Sequence, residues 1–172
     1  MSEFSQQLER HYLELGPMLR AYFRRQRPLA AAADDLLQET FLRAWRERAR
    51  FAAAVSSRAY LFGIARHVAL DALRRLRPVE PLEPGRDVAG ESVPDPDERL
   101  LAMRRAIDAL PEAQREPLVL KLQHELSYAE IADVLGVPVG TVRSRLHYAI
   151  ERLQALLNPN PAACGRSFTD EA

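Results

Sequence analysis

The chain has 172 residues, 47% apolar and 28% charged, with 24 Lys and Arg against 24 Asp and Glu, a composition that folds in water. No run approaches the ~18 consecutive apolar residues of a spanning helix, and the opening MSEFSQQLER has neither the basic nor the apolar part of a leader, so membrane insertion and secretion are not expected. The single cysteine, Cys164, excludes an internal disulfide and a thiolate zinc cage, and the expected compartment is a reducing cytoplasm.

The neutral total hides a polarised distribution. Residues 1–77 carry +6, residues 78–99 carry −5, residues 100–157 balance, and residues 158–172 carry −1. Every basic residue except Lys121 is arginine. Its planar donor fork suits phosphates and guanine edges, although a GC-rich genome produces the same bias.

Apolar residues recur at three and four along both large blocks, so the expected class is all-α. Phe4, Leu8, Leu15, Leu19 and Phe23 predict two helices interrupted at Gly16-Pro17. A helix follows over Asp34–Arg50, with Leu37, Phe41, Ala44, Trp45 and the stem of Arg48 inward, and with Asp35 and Gln38 spaced like a capping box. Phe51–Ser57 reads as a loop. The next helix, Ser57–Leu76, buries Leu61, Ile64, Ala65, Val68 and Ala72, which closes a small helical bundle over residues 1–77. Arg58, Tyr60, Phe62, Arg66, His67, Arg74 and Arg75 on this last helix interleave aromatics with arginines, the chemistry of single-strand binding, although Tyr60 and Phe62 taken singly suit a core equally well.

Residues 78–99 hold Pro78, Pro81, Pro84, Pro94, Pro96 and two glycines, and read as an acidic linker. Asp95-Pro96-Asp97-Glu98 stacks helix-start signals, and the helix it opens should stop before Pro111. Another should run to about Glu125, kinked or restarted at Pro117. Ser127 with Glu130 forms a capping box opening Ser127–Leu135, Gly136 ends that helix in the left-handed region, and Pro138 begins one reaching Leu157. The tail, residues 158–172, is expected to be disordered.

Ala132, Gly136 and Val142 have helix-turn-helix spacing: a small residue where two helices cross, a positive φ at the turn, and an apolar closure. With Val142, Leu146, Ala149, Ile150 and Leu153 inward, Thr141, Ser144, Arg145 and Tyr148 point outward, flanked by Arg143 and His147. Polar tips at the start of a second helix are what a major groove accepts, and an αα-hairpin with a solvated basic face is the structural alternative.

DDLLQETFLRAWR, AYLFGIARHVALDALRR, the proline linker, ALPEAQREPLVL and LSYAEIADVLGVPVGTVRSRLHYAIERL, in this order from Leu8 to Leu157, resemble a bacterial RNA polymerase sigma factor of the extracytoplasmic-function group. The resemblance implies a region 2 domain over residues 1–77 and a region 4 domain over residues 100–157. Asp35, Gln38, Glu39, Leu42 and Arg46 would dock on the clamp helices of the largest polymerase subunit. Phe51, Ser56 and Ser57, with Arg58, Tyr60, Phe62, Arg66, His67, Arg74 and Arg75, would hold the melted non-template strand of the minus-ten element. Thr141, Arg143, Ser144, Arg145, His147 and Tyr148 would read the minus-thirty-five duplex. The implied partners are core polymerase, including the subunit contacting region 4, promoter DNA and an anti-sigma factor, and Asp71 would have a structural role.

No phosphate-cradling glycine loop, paired metal ligands or Ser-His-Asp order is present, so no catalytic residue, metal or cofactor is expected. The competing reading is a dimeric helix-turn-helix regulator that binds palindromic duplex without polymerase.

Overall fold

The computed structural model describes residues 3–76 and 98–157, with the side chains of Glu98 and Arg99 outside that description. The linker from Pro78 to Asp97, the Asp95-Pro96 start signal and the 158–172 tail lie outside the described residues. Eight α-helices and one 3-10 helix appear among those described, with no strand.

Helix α1 runs unbroken over Glu3–Arg25, with Pro17 inside it, where an interruption was expected. Pro17 and Leu13, four residues back, lie on the exposed face, so the carbonyl deprived of its donor can turn to water. Gly16 instead faces the core, where an added Cβ would stand 4.0 Å from Leu37 Cδ2. A 3-10 helix, Arg27–Ala32, leads directly into α2, Ala33–Arg46. No side chain caps α2, so the Asp35–Gln38 capping box is not formed. Asp34 instead meets Arg20 of α1 at 2.6 Å.

The helix expected to continue to Arg50 breaks at Glu47, and a short α3, Arg48–Ala53, takes over. This break turns Phe51 into the core against Phe4 and Tyr60, at ring separations of 5.7 and 5.8 Å. The true loop is only residues 54–56. Leu37, Phe41 and Ala44 are buried as expected, whereas Trp45 is 42% exposed and packs on Phe4, and Arg48 is exposed.

Helix α4, Ser57–Leu76, packs on α1 and α2 through Leu61, Phe62, Ala65, Val68 and Ala69. Arg43 ties α2 to it, reaching Glu39 at 2.7 Å and Asp71 at 3.1 Å. The Arg43 hydrogen bond holds the Asp71 carboxyl below its ordinary range, which gives Asp71 a structural role.

The second group comprises α5, Glu98–Asp108; α6, Glu112–His124; α7, Tyr128–Leu135; and α8, Val139–Leu157. Pro117 does not restart α6, which runs through it, and is itself buried. Leu118, Val119, Leu120 and His124 are buried too, so four consecutive positions, 117–120, are covered and the middle of α6 is enclosed on more than one side. The reason lies across the molecule, where α7 lies along α4 and His124 reaches the rings of Tyr22 and Phe62. The two groups of helices share a seam.

Candidate nucleic-acid interface

Three surfaces collect the charged and polar residues singled out by the sequence. The first is built by the turn between α7 and α8. Ser127 accepts from the Glu130 backbone at 3.2 Å while the Glu130 carboxylate takes the Ser127 backbone N–H at 2.9 Å. Gly136, at φ 65°, then reverses the chain. Val142, Leu146, Ala149 and Leu153 are buried against α5, α6 and α7, which fixes the rotation of α8. Arg143, Ser144, His147 and Tyr148 are thereby exposed, and Thr141 and Arg145 are half-buried. Ile150, expected inward, is 45% exposed at the edge of the buried stripe. Such a row of donors on the first three turns of a second helix fits base edges and phosphates of a major groove.

The second surface is a cavity of about 610 Å³ between α2–α3 and α4, lined by Arg43, Glu47, Arg50, Ser56, Tyr60 and His67, with Val55 fully exposed at its rim. Ser56 Oγ accepts from the Ala59 N–H at 3.1 Å and so caps α4. Partial burial, together with donation to Glu47 at 2.9 Å, pushes the Tyr60 phenol up to about 12, so it remains a donor at neutral pH. His67 is exposed, with Nδ1 2.8 Å from the Gly63 carbonyl. Donors, an aromatic edge and a cavity together suit a single unstacked base and its phosphate.

The residues assigned to this strand surface do not act as one set. Phe51 and Phe62 are each 1% exposed, so their rings pack the core and are corrected from contact to support. Arg74 and Arg75 are exposed at the end of α4, with Arg74 near Asp71 at 3.5 Å, and Ser57 is half-buried at its start. Ser56, Arg58 and Arg66 face the second group of helices. Ser56 donates to Glu130 at 2.6 Å, Arg58 donates to the His124 carbonyl, and Arg66 meets Glu116 at 2.8 Å. Asp133 of α7 also lines the cavity.

A third face belongs to α2. Asp35, Gln38, Leu42 and Arg46 are exposed, with Leu42 at 51%, whereas Glu39 is half-buried and engaged by Arg43. One exposed leucine ringed by polar groups has the form of a small interface centre.

Sequence reasoning missed the seam partners Arg25, Asp108, Glu116, His124 and Glu130. Only the run Pro117–Leu120, apolar at four consecutive positions of α6, signalled a second covered face. Among the described residues no group of three or more His, Cys, Asp or Glu stands close enough to hold a metal, and no helix is long and apolar enough to cross a membrane.

Comparison with known proteins returns one family on several grounds. Residues 11–79 match the family model for sigma-70 region 2, and residues 100–153 match that for sigma-70 region 4. The chain is 41% identical over 133 residues to the ECF RNA polymerase sigma factor SigC of Mycobacterium tuberculosis, covering 75% of this chain and 72% of that one. It is 37% identical over 144 residues to the ECF RNA polymerase sigma factor EcfG of Rhodopseudomonas palustris, covering 82% and 80%. Among solved structures, the sigma factor RpoE in complex with the anti-sigma factor NepR from Bartonella quintana aligns with a TM-score of 0.67 and 26% identity, over 90% of this chain and 99% of that one. CnrH in complex with the cytosolic domain of CnrY aligns with a TM-score of 0.59 and 28% identity, over 91% and 88%.

Proposed function

The chain belongs to the sigma-70 family, as a member of the extracytoplasmic-function group of RNA polymerase sigma factors, and on that premise we propose a division of labour between its two groups of helices. It serves polymerase in transcription initiation and is not itself an enzyme. Residues 1–77 dock on core polymerase through Asp35, Gln38, Leu42 and Arg46, and capture the melted minus-ten strand at the cavity beside Ser56, Tyr60 and His67. Residues 78–99 are the tether, and residues 100–157 read the minus-thirty-five duplex with α8. An anti-sigma factor is the expected regulator, since two neighbours of this fold were solved with one or with a cytosolic partner domain. The expected compartment is the bacterial cytoplasm.

The observation that carries this reading is the rotation of α8. Its apolar face is locked into the core while Arg143, Ser144, His147 and Tyr148 stand outward. Energetics assign melting to the complex. Opening roughly ten base-pair steps at ~1.4 kcal/mol each costs on the order of 14 kcal/mol, and stacking returns ~1–3 kcal/mol per captured base. The few bases one cavity can hold do not offset that, so polymerase contacts supply the remainder.

Permanganate footprinting of a promoter bound by reconstituted holoenzyme tests strand capture. Tyr60→Ala and His67→Ala should retain core binding and lose thymine reactivity in the minus-ten region. Undiminished reactivity in both variants would contradict the assignment.

A further inference from the structure

The seam between the two groups of helices is polar at its edges and closed around one imidazole. Its edges are Ser56 to Glu130 at 2.6 Å, Arg66 to Glu116 at 2.8 Å and Arg25 to Asp108 at 3.4 Å. At the centre His124, the last residue of α6, is 1% exposed. Its ring lies 4.8 Å from that of Phe62 on α4 and 6.1 Å from that of Tyr22 on α1. Neither Nδ1 nor Nε2 has a hydrogen-bond partner. Both aromatic walls therefore belong to the first group, and separating the groups returns the ring to water.

The two cations facing this site, both from the first group, disfavour a further positive charge. Arg58 of α4 donates to the His124 carbonyl, and Arg25 of α1 bears on the ring. Tyr22 is held neutral, because burial pushes its phenol far up. From α7, the carboxylate of Glu130 is taken up by Ser56 and Ser127. Burial first, then the Arg58 and Arg25 charges, hold the imidazole down at about 4, against an ordinary value of 6.5.

We propose that His124 is a proton-sensitive latch on the seam: a proton on its imidazole separates α6–α7 from α1 and α4 and uncovers the strand-binding cavity. The consequence for DNA rests on the strand-capture reading above, whereas the latch itself does not. In the closed form Ser56, Arg58 and Arg66 are spent on the seam, the Asp133 carboxylate lines the cavity and that of Glu130 holds Ser56 beside it, and both repel a phosphate backbone. The reading face of α8 remains exposed throughout. Closure therefore masks one DNA surface and leaves the other free.

The sign follows from linkage. A group whose value is depressed in the closed form favours closure while it is neutral. That preference is complete above about pH 6.5 and is lost as pH falls from 6.5 toward 4. Between pH 7.5 and 5.5 the ratio of open to closed molecules should rise ~10-fold.

The test uses the full chain with dyes on Ala52→Cys and Ala155→Cys, Cys164 being replaced by serine, and single-molecule energy transfer to count the two forms. The expected result is the ~10-fold rise in wild type and a flat ratio in His124→Phe, which keeps the aromatic packing without a titratable group. An NMR titration of the His124 imidazole serves as a second measurement, independent of how that variant folds. The imidazole should titrate well below 6.5 in the wild-type chain and move toward 6.5 in Glu116→Gln, which weakens the seam elsewhere. An unchanged ratio in wild type, an equal rise in His124→Phe, or an ordinary titration in the wild-type chain would overturn the latch. Each of these outcomes leaves core binding and promoter use untouched, so failure of the latch is distinct from failure of the functional assignment.

Discussion

Ser56 and Glu130 stand 74 positions apart in sequence, yet the serine hydroxyl donates to the glutamate carboxylate at 2.6 Å. Each residue also has a local role: Ser56 caps α4 and Glu130 completes the capping box of α7. Two helix starts therefore meet end to end across the seam. Partial burial pushes the Glu130 carboxyl up, but the hydrogen bonds from Ser56 and Ser127 outweigh it and hold the group below its ordinary value.

This double duty separates two variants. Glu130→Ala removes the capping box and should cost ~1 kcal/mol of stability, read by thermal unfolding. Glu130→Gln keeps a residue type that completes capping boxes, so it should unfold within ~0.5 kcal/mol of wild type while the open fraction rises. Equal destabilisation by both would show that the charge, rather than the cap, carries the stability.

Leu42 offers an apolar side chain to solvent in the middle of a polar face, 51% exposed. Leu42→Asp should abolish capture of core polymerase in a pull-down and shift unfolding by no more than ~0.5 kcal/mol, the usual scale for surface positions. Retained capture would move the docking face off α2.

Arg143 is exposed and Arg145 is half-buried on the outer side of α8. Alanine at a base-reading arginine should cost ~1–3 kcal/mol and relax preference at one promoter position. Alanine at a phosphate contact should weaken all sequences alike and lower the salt slope by ~1. Binding of each variant to single-substitution duplexes across a salt series assigns the two roles.

Two left-handed residues end helices of the second group, Gly136 at φ 65° and Glu125 at φ 51°. Nothing lies within 4 Å of a Cβ added at Gly136, so Gly136→Ala should lose the backbone cost alone, ~1–2 kcal/mol. Glu125→Gly relieves the same strain against the greater freedom of glycine in the unfolded chain, for a net gain of ~0.5–1 kcal/mol. Denaturant midpoints of the two variants should move in opposite directions.

The helices and the turn at Gly136 were legible in the sequence because their signals are local. Apolar spacing, the Ser127–Glu130 box and a glycine at the turn act within a few residues. The errors all have tertiary causes. Pro17 sits on a solvent face and Pro117 in a buried run of α6, and both helices continue through their prolines. The chain turns at Glu47, where the side chain takes the Tyr60 hydroxyl, and this sends Phe51 inward. Phe62 carries the same arginine-rich context as Tyr60, and only packing against Tyr22 and His124 marks it as core. The seam left no local signature, since Arg66 and Glu116 become partners only once both bundles have formed.

The most direct test of the account is a pull-down of purified bacterial core polymerase by the full chain, followed by run-off transcription from a genomic fragment library with and without it. The account predicts stable core binding and new start sites that share two spaced promoter elements, with Leu42→Asp abolishing both. Absence of core binding, together with tight binding of the chain alone to palindromic duplex, would contradict it.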